Sequence, residues 1–343
     1  KYVHATGSTP FPDHPHPTPE ECNHVERLLT SAHGESIRPP EMVINNSVSG
    51  CGEVPKVLDA LIRTVLSANT SNANSAKAFQ GLLGRFGVEK EDKKMADVDI
   101  DASTDIDTRI VDWDAVRRAP RSELYEAIKH GGLADMKSKT IKTILDEKSR
   151  SPPPSPSNCE DLGGELSLEY IRDLDDEAVK ARLTSFKGVG QKTASCVLLF
   201  CLQRESFAVD THVFRLSKFL NWVPANASRE TAYYHLDTRI PNQLKYPLHN
   251  LLIRHGRTCR HCKAGPPVKT PTTPKPLKRK KKEEASTEDR ENRKKMRKVW
   301  VGNGMMKEVL VEVDTDGEGG EQEQEKCVLE NLVNRVRKER RAK

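Results

Sequence analysis

A chain of 343 residues has room for one large domain or two ordinary ones together with tails. Charged residues make up 31% and hydrophobic ones 35%, and no apolar run approaches the ~20 residues of a membrane helix. This excludes membrane-spanning helices and predicts a soluble protein with substantial unfolded stretches. The formal net charge of +6 is uneven, with 89–114 acidic and 275–298 strongly basic. A basic run of that kind suits nucleic-acid contact or nuclear import, and equally a solvated linker.

Residues 1–17, rich in Pro, His and Thr, are predicted to be disordered, and no basic-then-apolar leader is visible. The next block, 18–52, begins with a helix over 18–33: Thr18 caps it, Pro19 suits its first turn and acidic residues follow. An irregular lead-in completes the block. From 53 to 262 the pattern is helical. Val54, Val57, Leu58, Leu61, Ile62, Val65 and Leu66 fall at the spacing of a buried face. The stretch "SNANSAKAFQGLLGRFG" supplies a second helix that ends at glycine. The acidic insertion 89–114 lacks periodicity. Two further helices are separated by Gly131 and Gly132, and the Pro-rich stretch 151–165 reads as a loop. Helical character returns from 166 onward. No convincing β-hairpin is visible, so the fold class is all-α, in two helical lobes with disordered N- and C-terminal extensions. Residues 263–298 read as a basic disordered linker and 299–343 as a flexible C-terminal segment.

Eight cysteines without the spacing of a secreted scaffold predict a reducing, intracellular setting. Cys196 and Cys201, on an apolar helix, read as small core residues.

The most informative stretch is "SFKGVGQKTASCVLL", 185–199. One helix ends, Gly188-Val189-Gly190 makes a tight turn, and a second helix begins with Lys192 and Thr193. The glycines permit positive φ or close approach of the backbone, Val189 tucks inward, and the free N–H groups of the new helix can grip a phosphate. A Walker A loop would need glycine directly before the lysine, and Gln191 stands there. An ordinary helical hairpin with a surface lysine is the plainer alternative. Beyond it, "FAVDTHVFRL" sets Asp210 at the start of another helix, where its ordinary role is an N-cap.

Taken together, "FKGVGQKTASCVLLFCLQRESFAVDTHVFRL", "VLSANTS" and "GGLADMKSKTIKTI" resemble the helix-hairpin-helix (HhH-GPD) DNA glycosylases of the endonuclease III branch, over roughly 53–262. "LEYIRDL" and "NWVP" are also similar to DEMETER-like 5-methylcytosine glycosylases. The resemblance implies double-stranded DNA with a damaged, modified or abasic nucleotide as substrate, and a bifunctional glycosylase and AP lyase; a monomer is expected, and the basic tail points to the nucleus. The resemblance also implies that the Lys192 amine attacks C1′ of an extruded nucleotide, most naturally a pyrimidine, to form a Schiff base before β-elimination. Asp210 would stabilise positive charge on the sugar or shuttle protons. Gly188, Val189, Gly190 and Thr193 would hold the DNA backbone, and Asn69 and Leu133 would fill the gap left by the base. Their plainer roles are a helix-ending Asn69 and a buried Leu133. His212 and Arg215 either touch phosphate or are simply solvated. A 5-methylcytosine-type demethylating glycosylase and a catalytically silent DNA-binding module are the alternatives.

Many endonuclease III relatives hold a [4Fe–4S] cluster on four cysteines just past the last core helix. Here only Cys259 and Cys262 occur, and Cys327 is judged too remote across the linker to join them. No cluster and no metal are therefore expected. Zinc on His255, Cys259, His261 and Cys262 is weighed against packing cysteines, and packing is preferred.

Overall fold

Thr18 shows how local sequence sets an element here. Its hydroxyl accepts from the Glu21 N–H while the Glu21 carboxylate accepts from the Thr18 N–H, a reciprocal cap on α1 (Pro19–His33). The computed structural model describes residues 7–40, 42, 46, 54–89, 109–150, 166–264, 296–300, 306–310 and 326–333. The Pro-rich loop 151–165 and most of the acidic and basic stretches lie outside the described residues.

Residues Lys1–Ala264 and Cys327–Lys343 make one compact unit, and Gly265–Lys326 the other. The first unit has two apolar cores. One is built on α2 (Val57–Ser67), α3 (Asn72–Phe86), α4 (Trp113–Arg118), α5 (Arg121–Ile128), α6 (Ala134–Arg150), α7 (Asp176–Ser185) and α8 (Gln191–Cys196). The other gathers α1, α9 (Thr211–Phe219), α10 (Arg229–Arg239) and α11 (Asn242–Thr258), together with Cys327 and Leu329. The chain thus starts in the second lobe, runs through the first and returns between α8 and α9. In the second unit, β3 (Met296–Trp300) pairs antiparallel with β4 (Met306–Leu310), from Met296 opposite Leu310 to Trp300 opposite Met306.

Three expectations are corrected. Helix α2 is buried on every side from Val57 to Leu66, not only on its apolar face. This is tolerated because its polar residues are paired: Asp59 accepts from Trp113 Nε1 at 2.5 Å, and Arg63 donates to Asn46 Oδ1 at 2.7 Å. The end of the acidic stretch is structured, since Ile110–Val111 (β2) pairs with Gly87–Val88 (β1) and Asp112 caps α4. Residues 7–17, expected to be disordered, lie against α10. There Thr9 Oγ1 meets His235 Nδ1 at 2.5 Å, and Arg239 donates to the carbonyls of His14 and Pro15.

Buried charge fastens the lobes. Asp237 of α10 accepts from Lys245 (3.1 Å), from the Phe207 N–H (2.7 Å) and, at 3.6 Å, faces Lys180 of α7. Because all three partners converge on one carboxylate, its removal would leave two buried ammonium groups uncompensated. Phe200 and His249 add an edge-to-face ring contact across the same boundary, and His249 Nδ1 meets the Ala208 carbonyl at 2.7 Å.

Candidate functional site

The hairpin joins α7 to α8 as the sequence predicts, but its two glycines serve different ends. Gly188 has φ +93°, and a Cβ there would lie 2.5 Å from Thr140 Oγ1 of α6. It is required by the protein's own packing. Gly190, the N-cap of α8, has ordinary extended backbone, and a Cβ there would meet nothing within 4 Å. Its small size therefore leaves room for something outside the chain. Gly188→Ala is expected to lower stability by ~1–3 kcal/mol in denaturant unfolding, because it combines positive φ with a clash. Gly190→Ala should unfold like the wild type.

Val189 is buried, as expected. Thr193 is buried too, so its side chain packs inside and makes no outward contact. Helix α8 continues as a π-helical turn, Val197–Cys201, that is buried throughout, with Cys196 and Cys201 in the core as the sequence indicates. Such turns often mark functional helices.

Lys192 stands half-buried in the first turn of α8. Its neighbour Gln191 donates from Nε2 to the Tyr234 hydroxyl of α10 at 3.3 Å, so this turn of α8 faces the second lobe. Gln191 Oε1 is buried and meets no donor among the described residues. Asp210 caps α9: its Oδ1 accepts from the N–H groups of His212 (2.8 Å) and Val213 (2.7 Å). Lys192, on the last helix of the first lobe, and Asp210, the cap of α9 in the second, thus flank the return crossing between the lobes. The crossing between them is pinned on both sides. Arg204 donates to the Leu174 carbonyl and Asp176 in the first lobe, and Phe207 donates to Asp237 in the second.

Asn69 and Leu133 are both exposed and both hold left-handed backbone, φ +50° and +53°. For leucine that conformation is an outlier of the kind found at functional sites. Leu133 is 50% exposed, which removes its plainer reading as a buried core residue. The two loops adjoin, since a Cβ on Gly132 would lie 3.1 Å from Thr70 Oγ1. The sequence did not single out Lys137, which ties them. Its buried ammonium donates to the Leu66 carbonyl (2.6 Å) and the Gly131 carbonyl (3.1 Å), and burial pushes its pKa down. No sequence signal marked it, because its partners are backbone atoms brought there by the fold.

Arg215 is half-buried and committed to the chain itself. It donates to the Gly256 carbonyl (2.9 Å) and the Cys262 carbonyl (2.8 Å). Gly256 is small for the same contact, as its Cβ would lie 3.0 Å from that of His212. Beside Arg215, His255, Cys259, Cys262 and Cys327 gather with their donor atoms all within 4.8 Å of one another. The exclusion of Cys327 is corrected: its Sγ lies 3.6 Å from Cys262 Sγ and 3.4 Å from His255 Nε2. Loop-closure entropy grows only logarithmically, by about 0.6 kcal/mol for each doubling, so a separation of 65 residues is a weak barrier. His261 stays outside the group and is exposed. Three thiols stand where a [4Fe–4S] cluster takes four, so the cysteine set for that cluster is partial.

Two helical lobes, a glycine hairpin leading into Lys192 and a helix-capping Asp210 at the return define a helix-hairpin-helix protein. The family model of the HhH-GPD superfamily base excision DNA repair proteins matches residues 62–242. "Putative DNA glycosylase At3g47830" of Arabidopsis thaliana is 36% identical over 278 residues, which cover 75% of this chain and 82% of that protein. Endonuclease III of Sulfolobus acidocaldarius is 26% identical over 218 residues, 64% of this chain and 79% of the other. The transcriptional activator DEMETER of Arabidopsis thaliana is 35% identical over 126 residues, 37% of this chain but 6% of its own length. The chain belongs to the HhH-GPD superfamily, in its endonuclease III-like part, and is a DNA glycosylase of base excision repair.

Proposed function

We propose that the protein is a bifunctional DNA glycosylase and AP lyase that removes a damaged or modified pyrimidine through a Schiff base on Lys192. The observation that supports this reading is the half-buried Lys192 in the first turn of α8, next to Gln191, which reaches Tyr234 of the second lobe and has a buried carboxamide oxygen that meets no donor among the described residues. Reaching the sugar requires the base to leave the stack. The exposed, strained Leu133 and Asn69, on adjoining loops, suit the filling of that gap. Attack of the amine on C1′ displaces the base and forms the imine; loss of a proton from C2′ then expels the 3′ phosphate and cuts the strand. Among the similar proteins, one is named DNA glycosylase/AP lyase ROS1, and it is 34% identical over 126 residues.

The hairpin supplies binding without base reading. Gly190→Ala is accordingly expected to weaken duplex affinity while leaving unfolding unchanged, because the open space at Gly190 is where a phosphate would approach. Leu133→Ala should slow release of a base from an intact pair more than from a mismatch, where less unstacking energy must be met. The direct test is incubation with duplexes carrying single oxidised or methylated pyrimidines, and with an abasic duplex in borohydride. Base release with a trapped covalent adduct supports the proposal. Base release without any adduct makes the enzyme monofunctional, and neither activity with retained duplex binding makes it a binding module. The basic clusters at 278–282 and 293–298 support residence in the nucleus, which a fluorescent fusion with those clusters replaced by glutamine would check.

A further inference from the structure

The His255, Cys259, Cys262 and Cys327 group lies outside the chemistry proposed for Lys192. Three of its members are nearly inaccessible: His255 is 3% exposed, Cys262 0% and Cys327 6%. All of its cysteines are reduced, and the sulfurs of Cys262 and Cys327 at 3.6 Å are far beyond bonding distance. Two thiols and an imidazole are thus held together in an apolar core with their donor atoms turned toward one another.

We propose that these four residues form a closed, tetrahedral zinc site that stands in place of the family's iron–sulfur cluster and fastens residues 327–333 to α11. Ligands about 2.3 Å from a single ion at the corners of a tetrahedron lie roughly 3.8 Å apart, and slightly less when one is a nitrogen. The sulfur–sulfur distance of 3.6 Å and the sulfur–nitrogen distance of 3.4 Å fit that single ion. A four-iron cube does not fit, since each thiolate takes a different iron and the donors are pushed apart by the width of the cube. Three thiolates with one imidazole are a usual zinc set, and zinc binds such a site more tightly than ferrous iron does.

The surroundings match a metal-bound histidine. His255 Nε2 faces Cys327, while its Nδ1 meets His33 Nε2 of α1 at 2.9 Å. A ligating histidine ordinarily donates its other ring N–H to such a partner, which fixes the ring. The local chain is built for it: His255 lies in the last turn of α11, Cys259 caps that helix, and a turn returns the Cys262 N–H to the Cys259 carbonyl at 3.3 Å. On the far side, the Glu330 N–H bonds the Cys327 carbonyl, and Leu329 is buried in the second core. With all four positions filled by protein, the ion would be structural. Arg215 links the site to α9 by holding the Cys262 carbonyl, so the metal would also steady the helix that Asp210 caps.

The test uses the full chain purified without chelator from medium containing both iron and zinc. Elemental analysis should find a single zinc ion per chain. Exchange for Co2+ should give the visible bands of a tetrahedral ion with thiolate charge transfer. Cys327→Ser should lose the ion, while His33→Ala, which leaves every ligand in place, should bind it about 10- to 100-fold more weakly in competition with a chromophoric chelator. Circular dichroism of each variant guards against plain unfolding. A brown protein with several irons and acid-labile sulfide overturns the proposal. So does a metal-free protein, whether its thiols are free or Cys262 and Cys327 are joined as a disulfide, and so does Cys327→Ser with unchanged zinc.

Discussion

Lys192→Ala is expected to abolish the borohydride-trapped adduct on an abasic duplex and to cut base release by roughly 10⁴-fold or more, the scale seen when a nucleophile is removed. Duplex affinity should stay close to that of the wild type, because the hairpin glycines are untouched. Alanine is the best helix former and suits the first turn of α8, so stability should change little. Other lysines offer clear controls. Lys187 is exposed in the turn itself, and Lys187→Ala should leave the adduct intact while trimming affinity through lost phosphate attraction. The Lys137 amine is already committed to two carbonyls, so it cannot substitute as nucleophile without breaking the link between the Asn69 and Leu133 loops. An adduct that persists in Lys192→Ala would move the chemistry to another residue and end this reading of the site.

What the sequence made legible was whatever neighbouring residues decide among themselves. Thr18, Pro19 and Glu21 carry the start of α1 within four positions. Gly131 and Gly132 stop α5, and the Gly188–Gly190 hairpin and its lysine follow one another along the chain. The capping role of Asp210 was readable for the same reason, since its partners are His212 and Val213. Illegible features depend on partners far away in sequence. Trp113 sits in an acidic stretch without periodicity, and only the fold brings it to Asp59. Arg215 looked like a surface cation because the carbonyls it holds belong to α11 and the turn after it. Cys327 looks remote by linear distance, although distance along a chain is a poor guide to closure once several donors meet. Equal glycines in the hairpin also hid unequal roles, one serving the protein's packing and the other open to solvent.

Asp210→Asn separates the two roles of that residue. Both capping N–H groups meet Oδ1, so the cap does not use Oδ2. An asparagine can keep its oxygen toward those donors and replace only Oδ2 with an amide nitrogen. Asparagine and aspartate cap equally well, so the change should cost only the favourable charge at the helix start, about 0.3–1 kcal/mol. Removing the carboxylate should nevertheless lower base release by about 10²- to 10⁴-fold, because neither charge stabilisation nor proton transfer survives. Asp210→Ala should lose activity to a similar degree and add the loss of the cap, typically ~1 kcal/mol. Activity therefore should follow charge, and stability should follow the hydrogen bonds. With Lys192 still present, slow accumulation of the trapped adduct should remain in Asp210→Asn. If Asp210→Asn turns over like the wild type while Asp210→Ala is merely less stable, Asp210 is a helix cap alone. The charge that steadies the sugar must then come from another residue at the lobe boundary.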